Sequence, residues 1–462
     1  MPLLRTLPLL LLACAVLAVP AQASKTQEVT FEAPRDLLDP ATRDQTFSEL
    51  DSLGVRALRV VLYWHDVAPE GDSRVKPKAD MTDPSVYDWS RYAPVLDEAH
   101  KRGWNLHLTV SGPVPRWATN GARDTVTRPS PNEFRMFMTA VSRRFGGQVT
   151  RYAIWNEPNH PQFLAPQYDK RKRPVSPTIY RGLYAAALRG LADAGDTKPV
   201  VLGETAPVGT GKDVAPLTFL RRALCLNDRY KKIGKCSKVR VDGIAHHPYT
   251  RRSGPFYKPS GPNDVTIGVL SRLVKATDRL AKAGVVARRV PLYLTEFGIQ
   301  STPDPLYGVP LLRQNEYRNI SERIAYNNSR VRAFSQYLLR DDLPVEGASK
   351  IARYGGFESG LRTSGGKDKP ALAGFRLPLA AEKRGSGVRL WGMARPAGGR
   401  TTVEVQYRNG SKGSFRRLAA ITTDARGAFT KATANRKGRQ WRLRWTAGDG
   451  TTYTSPPVRA YG

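Results

Sequence analysis

The sequence predicts an α/β fold: a (β/α)8 TIM barrel followed by a small C-terminal all-β, sandwich-like domain. Three observations predict it. Short apolar runs alternate with amphipathic helical stretches, the pattern of parallel βα units. Two of those runs, Arg151-Tyr152-Ala153-Ile154-Trp155-Asn156-Glu157 and Val290-Pro291-Leu292-Tyr293-Leu294-Thr295-Glu296, end in glutamates 139 positions apart. Beyond Leu379 the texture changes to short alternating runs broken by turn pairs.

Taken in order, residues 1–23 read as a secretory leader. They carry one charge, Arg5, an apolar core from Leu7 to Val19 and the small-x-small site Ala21-Gln22-Ala23. This predicts a secreted protein, extracellular or associated with the cell envelope. No later stretch reaches the ~20 apolar residues of a membrane helix, so no integral membrane segment is expected. With 462 residues, 40% of them hydrophobic, the chain can fill one large core and a smaller one.

Residues 24–383 hold eight strand-like runs, near Val29–Ala33, Ala57–Trp64, Asn105–Ser111, Arg151–Trp155, Val200–Gly203, Gly243–His247, Val290–Thr295 and Ile351–Phe357. Between them lie helical stretches such as Trp89–Arg102, Asn132–Phe145, Tyr180–Ala194, Val269–Ala283 and Glu316–Leu339. Ser130-Pro131-Asn132-Glu133 and Ser176-Pro177-Thr178 supply a cap and an early proline, the chemistry of helix starts. Eight such units suit a barrel with insertions.

Residues 384–462 form the second domain. Runs such as Thr402–Tyr407 and Trp441–Trp445 alternate between turns at Asn409-Gly410, Arg426-Gly427 and Gly448-Asp449-Gly450. Its 16 basic and three acidic residues make it a candidate module for an anionic cell-envelope polymer, or a lid that only packs on the barrel. The whole chain carries +33, from 73 Lys and Arg against 40 Asp and Glu. For an exported protein that field points to acidic glycans, phosphate-bearing wall polymers or anionic lipid surfaces, and no nucleic acid partner is expected. Once the leader is removed Cys225 and Cys236 remain, and an oxidising compartment predicts a disulfide between them.

The two glutamates carry the chemistry. A carboxylate that ends a barrel strand stands where the sheet meets solvent, and two of them imply acid/base work. Arg59 is a lone charge on the apolar run Leu58–Trp64, and a buried charge needs a partner. In His246-His247-Pro248-Tyr249, period two puts His247 and Tyr249 on one face and turns His246 elsewhere. Trp64, Trp117 and Trp155 sit near strand ends and can either stack on the face of a bound substrate or pack. Glu204 ends another run and can serve either substrate contact or structure.

The run Ile154-Trp155-Asn156-Glu157-Pro158-Asn159 with the later Leu294-Thr295-Glu296-Phe297-Gly298 resembles the retaining glycoside hydrolases of clan A, most of all family 39. The stretch Gly360-Leu361-Arg362 to Phe375-Arg376-Leu377-Pro378-Leu379 is similar to the end of that barrel, so the resemblance spans roughly Gln27 to Leu379 and leaves out the C-terminal domain. It implies that Glu157 is the acid/base and Glu296 the nucleophile of a double displacement through a glycosyl-enzyme, with Glu157 held protonated and Glu296 ionised. Asn156 would then hydrogen-bond the sugar 2-hydroxyl, Arg59 would lie beside the nucleophile, and the Tyr249 hydroxyl would orient it. One departure stands out: many clan A barrels carry a tryptophan on the eighth strand, and Ile351–Phe357 has none, leaving Tyr354 or Phe357 to substitute. The resulting expectation is a secreted retaining hydrolase of a poly- or oligosaccharide that uses no metal or organic cofactor. The alternative from another class is a non-catalytic cell-surface glycan-binding protein or adhesin on the same scaffold.

Overall fold

The computed structural model describes residues 26–396 and 398–462. The leader read at residues 1–23 lies outside the described residues. Eight parallel strands close a barrel in sequence order: β1 (Glu28–Glu32), β2 (Ala57–Tyr63), β3 (Asn105–Ser111), β4 (Arg151–Ile154), β5 (Val200–Thr205), β6 (Gly243–His246), β7 (Leu292–Phe297) and β8 (Val331–Tyr337). Helices wrap the outside. Pro131–Phe145 opens on Ser130, whose hydroxyl accepts from the Glu133 N–H, so the cap read from the sequence forms. Cys225 and Cys236 are disulfide-bonded.

The barrel interior is filled from end to end. At the amino end Arg151 pairs with Glu28 at 2.7 Å and lies over the Tyr293 ring. Small residues, Ala153, Val201, Ala245 and Ala333, make the middle. At the carboxyl end the filling turns polar around Arg59, and the site opens there.

The first seven runs are strands within two residues of their predicted bounds. The eighth is not. Ile351–Phe357 is a short helical turn, Lys350–Arg353, followed by loop, and the long helix read from Glu316 to Leu339 is two elements: a helix at Leu311–Tyr326 and then β8. The true eighth strand also lacks tryptophan and ends in Tyr337.

The second domain is a path of hydrogen-bonded strands folded over its own core. Its strands are β9 (Leu379–Arg384), β10 (Gly387–Met393), β11 (Thr402–Asn409), β12 (Arg416–Thr422), β13 (Ala428–Ala434), β14 (Arg439–Thr446), β15 (Thr452–Thr454) and β16 (Val458–Tyr461), in the order β12-β11-β14-β16-β9-β10-β13 with β15 beside β14. Pairing is antiparallel except between β16 and β9. Leu379, Val388, Leu390, Val403, Val405, Trp441 and Leu443 share the core. The composition break placed at Arg384 falls on the last residue of β9, so the sheet begins at Leu379. Acidic and basic residues are mixed in that first strand, which hides it from a charge-based boundary.

The helix Leu311–Tyr326 joins the two domains. Ile320 and Tyr326 pack against Ala380, Trp391, Met393 and Ala428. Arg323 donates to Glu382 at 2.5 Å, and Arg395 reaches across from the sheet to Glu322, which also pairs with Arg318 at 2.7 Å.

Candidate active site

Strand irregularities aim the key carboxylates. Pairing of β5 with β6 slips between Gly203 and Thr205, and that of β7 with β8 slips between Leu294 and Phe297, so Glu204 and Glu296 each sit at a break in register. Such breaks re-aim a side chain. Gly203 adopts φ +117°, where a Cβ would lie 2.5 Å from the Ala245 carbonyl oxygen, so only glycine fits. Trp155, Glu157 and Glu204 also have positive φ, at +73°, +39° and +52°. Non-glycine residues held there mark a backbone constrained by its surroundings.

Arg59 is the hub. Its fully buried guanidinium donates to Glu204 through Nε at 3.1 Å and Nη2 at 2.8 Å, to Glu296 at 2.9 Å, to the Asn156 Oδ1 at 2.7 Å and to Glu32. Three carboxylates share one arginine. Burial alone would raise the Glu204 pKa, but Arg59 and then His107 outweigh it, and the group is held well below the usual carboxylate range. Glu32 moves the other way, raised by burial and by the neighbouring charges of Glu296 and Glu204 against the pull of Arg59.

Glu157 and Glu296 face one another across His247. Its Nδ1 lies 3.0 Å from a Glu157 oxygen and 3.6 Å from a Glu296 oxygen, so those two oxygens are at most about 6.6 Å apart, the sum of the two distances. The Tyr249 hydroxyl donates to the other Glu296 oxygen at 2.7 Å. Burial is the main cause that pushes the Glu157 carboxyl up to about 7, with Asp213 and Glu204 adding to it and His160 and Arg59 opposing. Burial also lowers His247 to about 4, which keeps the imidazole neutral near pH 7. One carboxyl is therefore poised to hold a proton while its partner is gripped by an arginine and a phenol.

These groups open into a cavity of about 790 Å³ lined by Asn156, Glu157, Glu296 and Tyr249, and by aromatic rings that include Tyr63, Tyr92, Phe163, Tyr307, Tyr337, Tyr354 and Phe357. Asn156 is oriented for it. With Oδ1 accepting from Arg59, the amide N–H2 is left to donate, and Asn156 is one of the residues that line the cavity. Phe357 packs on Tyr249 and Tyr337 at 5.4 and 5.0 Å, and it and Tyr354 line the cavity from the loop after β8.

Several predicted contacts are corrected. Trp64 is fully buried and stacks on Phe137 at 4.9 Å, Trp117 packs edge-on against Trp64 and donates to the Pro69 carbonyl, and Trp155 is fully buried and donates to the Phe163 carbonyl. None lines the cavity: Trp64 and Trp155 pack on Phe137 and Phe134 of the helix Pro131–Phe145, and Trp117 lies in the turn after β3. Arg59 and His247 also stop short of the cavity wall and act on it through the carboxylates above them. His246 is structural as expected, bonded to Thr205 and the Val265 carbonyl.

The sequence reading missed Glu32, Asp213 and His160. Glu32 ends β1 and lines the cavity, the same strand-end signal that gave Glu157. Asp213 and His160 lie in loops, where no periodicity marks them.

No protein-family profile and no curated protein sequence matches the chain. Solved structures do match it in fold. A glucosidase from Croceicoccus marinus is similar at a TM-score of 0.53 and 11% identity, over 95% of this chain and 97% of that one. A family 39 glycoside hydrolase from Xanthomonas axonopodis pv. citri is similar at 0.50 and 15%, over 93% and 94%. A monomeric beta-xylosidase from Caulobacter crescentus CB15 is similar at 0.50 and 15%, over 94% and 97%. Coverage of this extent takes in the C-terminal sheet, so the likeness reaches beyond the Leu379 limit drawn from the motifs. The resemblance to family 39 is therefore borne out at the level of the fold, for both domains of the chain.

Proposed function

We propose that the protein is a glycoside hydrolase that cleaves O-glycosidic bonds with retention of anomeric configuration. One observation carries the reading: Glu157 and Glu296 reach toward a single nitrogen of His247, one with a raised pKa and the other tied to Arg59 and Tyr249. Their oxygens, at most about 6.6 Å apart, suit the ~5–5.5 Å of a double displacement and touch only the lower edge of the ~6.5–9.5 Å that an intervening water needs.

In the first step a Glu296 oxygen attacks the anomeric carbon as the C–O bond to the leaving group breaks, and the Glu157 proton passes to the departing oxygen. In the second, the Glu157 carboxylate takes a proton from water, the water oxygen bonds to the anomeric carbon, and Glu296 leaves. Arg59 and Tyr249 hold the two Glu296 oxygens in place, at 2.9 and 2.7 Å. The Asn156 amide donates to a hydroxyl of the sugar, a contact worth most as charge develops at the anomeric carbon. The aromatic lining offers faces on which sugar rings stack.

The Cys225–Cys236 bridge supports the reading of an exported protein, since such bonds persist in oxidising compartments. Proton NMR of the first-formed product from an aryl glycoside tests the reaction class. The product is expected with the substrate's own anomeric configuration, and the opposite anomer overturns the assignment.

A further inference from the structure

Charge in this molecule is segregated in a way that the catalytic reading does not use. Although the chain carries +33, its cavity is lined by six carboxylates, Glu32, Glu157, Asp213, Glu296, Asp304 and Asp342, and by one arginine, Arg91, which is itself 3.5 Å from Asp66. Glu32 and Glu157 have raised pKa values, and the remaining carboxylates still give the cleft a negative wall that disfavours a polyanion.

The opposite sign gathers on the second domain. In β14, Arg442 and Arg444 alternate with the core residues Trp441, Leu443 and Trp445, so both face outward. Cross-strand pairing puts Gln406 opposite Arg442, Glu404 opposite Arg444, Gln440 opposite Arg408 and Arg417 opposite Gln406, all on that same face. Phe415 lies between two guanidiniums, 4.6 Å from Arg408 and 4.1 Å from Arg442. The Nε of Arg408 donates to Gln440 at 2.9 Å and the Nε of Arg442 to Gln406 at 2.7 Å, which fixes each fork and leaves its terminal nitrogens for an external acceptor. Among the described residues no carboxylate lies within ion-pair distance of Arg408, Arg417, Arg442 or Arg444. Burial lowers the Arg442 pKa and the like charges of Arg408 and Arg444 lower it further, with Glu404 opposing them. An array of unpaired, pre-oriented guanidiniums is stabilised by an anionic occupant.

We infer that the outer face of β11, β12 and β14 binds a carboxylate-bearing polysaccharide, and that this polymer tethers the enzyme and is not its substrate. The tether half stands on the sheet alone, and the substrate half rests on the hydrolase reading.

The test applies the full chain to polygalacturonate-agarose and elutes it with a NaCl gradient. Arg417→Glu with Arg444→Glu should elute at least ~100 mM earlier than wild type, whereas the charge-matched barrel variant Lys170→Glu with Arg171→Glu should shift less than half as far. Arg417→Gln with Arg444→Gln replaces the first pair if its melting curve shows loss of fold. Soluble polygalacturonate should leave kcat/KM on a neutral aryl glycoside unchanged and should not lose viscosity. Equal shifts for the sheet and barrel variants overturn the tether. Competition by the polymer at the active site, or its depolymerisation, overturns its exclusion as substrate. Failure to turn over any aryl glycoside sinks the hydrolase reading and leaves the elution result to decide the tether by itself.

Discussion

The backbone N–H of Glu157 donates to the carbonyl oxygen of Glu204 at 3.0 Å. Since the Glu204 carboxylate also grips Arg59, and Arg59 grips Glu296, one residue off the cavity wall sets the position of both carboxylates on it. Replacing Glu204 by Gln keeps the shape and removes the charge. Turnover should fall about 10–100-fold with little change in KM, and the alkaline limb of the pH profile should move to lower pH, because the negative charge that helps to raise Glu157 is gone. Steady-state kinetics between pH 4 and 9 check this, and a profile of unchanged shape would count against the linkage.

Glu296→Ala should lower kcat by about 10³-fold or more, since no covalent intermediate can form. Azide then has room to attack from the vacated side. Restored turnover with an inverted glycosyl azide as product, identified by NMR, is the expected outcome, and a variant that keeps wild-type activity would remove Glu296 from the nucleophile's role.

The raised pKa of Glu157 makes two pH statements. For activity, kcat/KM should decline above about pH 7 as the acid loses its proton. For stability, the folded-state value lies above the unfolded one, so ionisation favours the unfolded chain. This contribution is nil below the unfolded pKa of 4.5, grows against the fold as pH rises to about 7, and is constant beyond. Glu157→Gln should accordingly raise Tm at pH 8 relative to wild type and leave it unchanged at pH 4, which calorimetry at the two pH values can read.

Arg395→Ala removes one of the two cations that hold the buried Glu322. Breaking a buried pair typically costs about 3–5 kcal/mol, and because Arg318 remains at 2.7 Å the lower end is expected, as a drop in the denaturation midpoint without change in kinetics of the intact protein. Truncation at Arg384 should go further. It strands most of β9 without a partner and bares Ile320 and Tyr326, so the product should be insoluble or lack a melting transition.

What was legible in the sequence was whatever ended an apolar run. Glu157, Glu296, His247 and Tyr249 follow hydrophobic stretches that can only be buried strands, and their positions near the mouth follow from that. Glu32 carried the same mark at the end of Glu28-Val29-Thr30-Phe31-Glu32 and went unread because its run is short and half polar. The eighth strand, Val331-Arg332-Ala333-Phe334-Ser335-Gln336-Tyr337, is as polar as the helix before it, and only Asn327-Asn328 marks the break between them. Tryptophans misled for a different reason. A strand-end position says where the backbone stops, and the packing of Trp64 on Phe137 is decided by a helix far along the chain.

The helix Leu311–Tyr326 shows little separation of polar and apolar faces, and Gln314, Asn315, Arg318, Asn319, Glu322 and Arg323 on it are all buried. A surface helix needs one apolar stripe, whereas this one is covered on one side by the barrel and on the other by the sheet. Arg318 donates to Gln336 of the barrel, while Arg323 and Glu322 pair with Glu382 and Arg395 of the second domain. Neither half of the chain can lose order without uncovering charges that the other half neutralises, so the two domains are bound into one cooperative unit. Heating should melt barrel and sheet in a single transition, with calorimetric and van't Hoff enthalpies equal for the two together and not for either part.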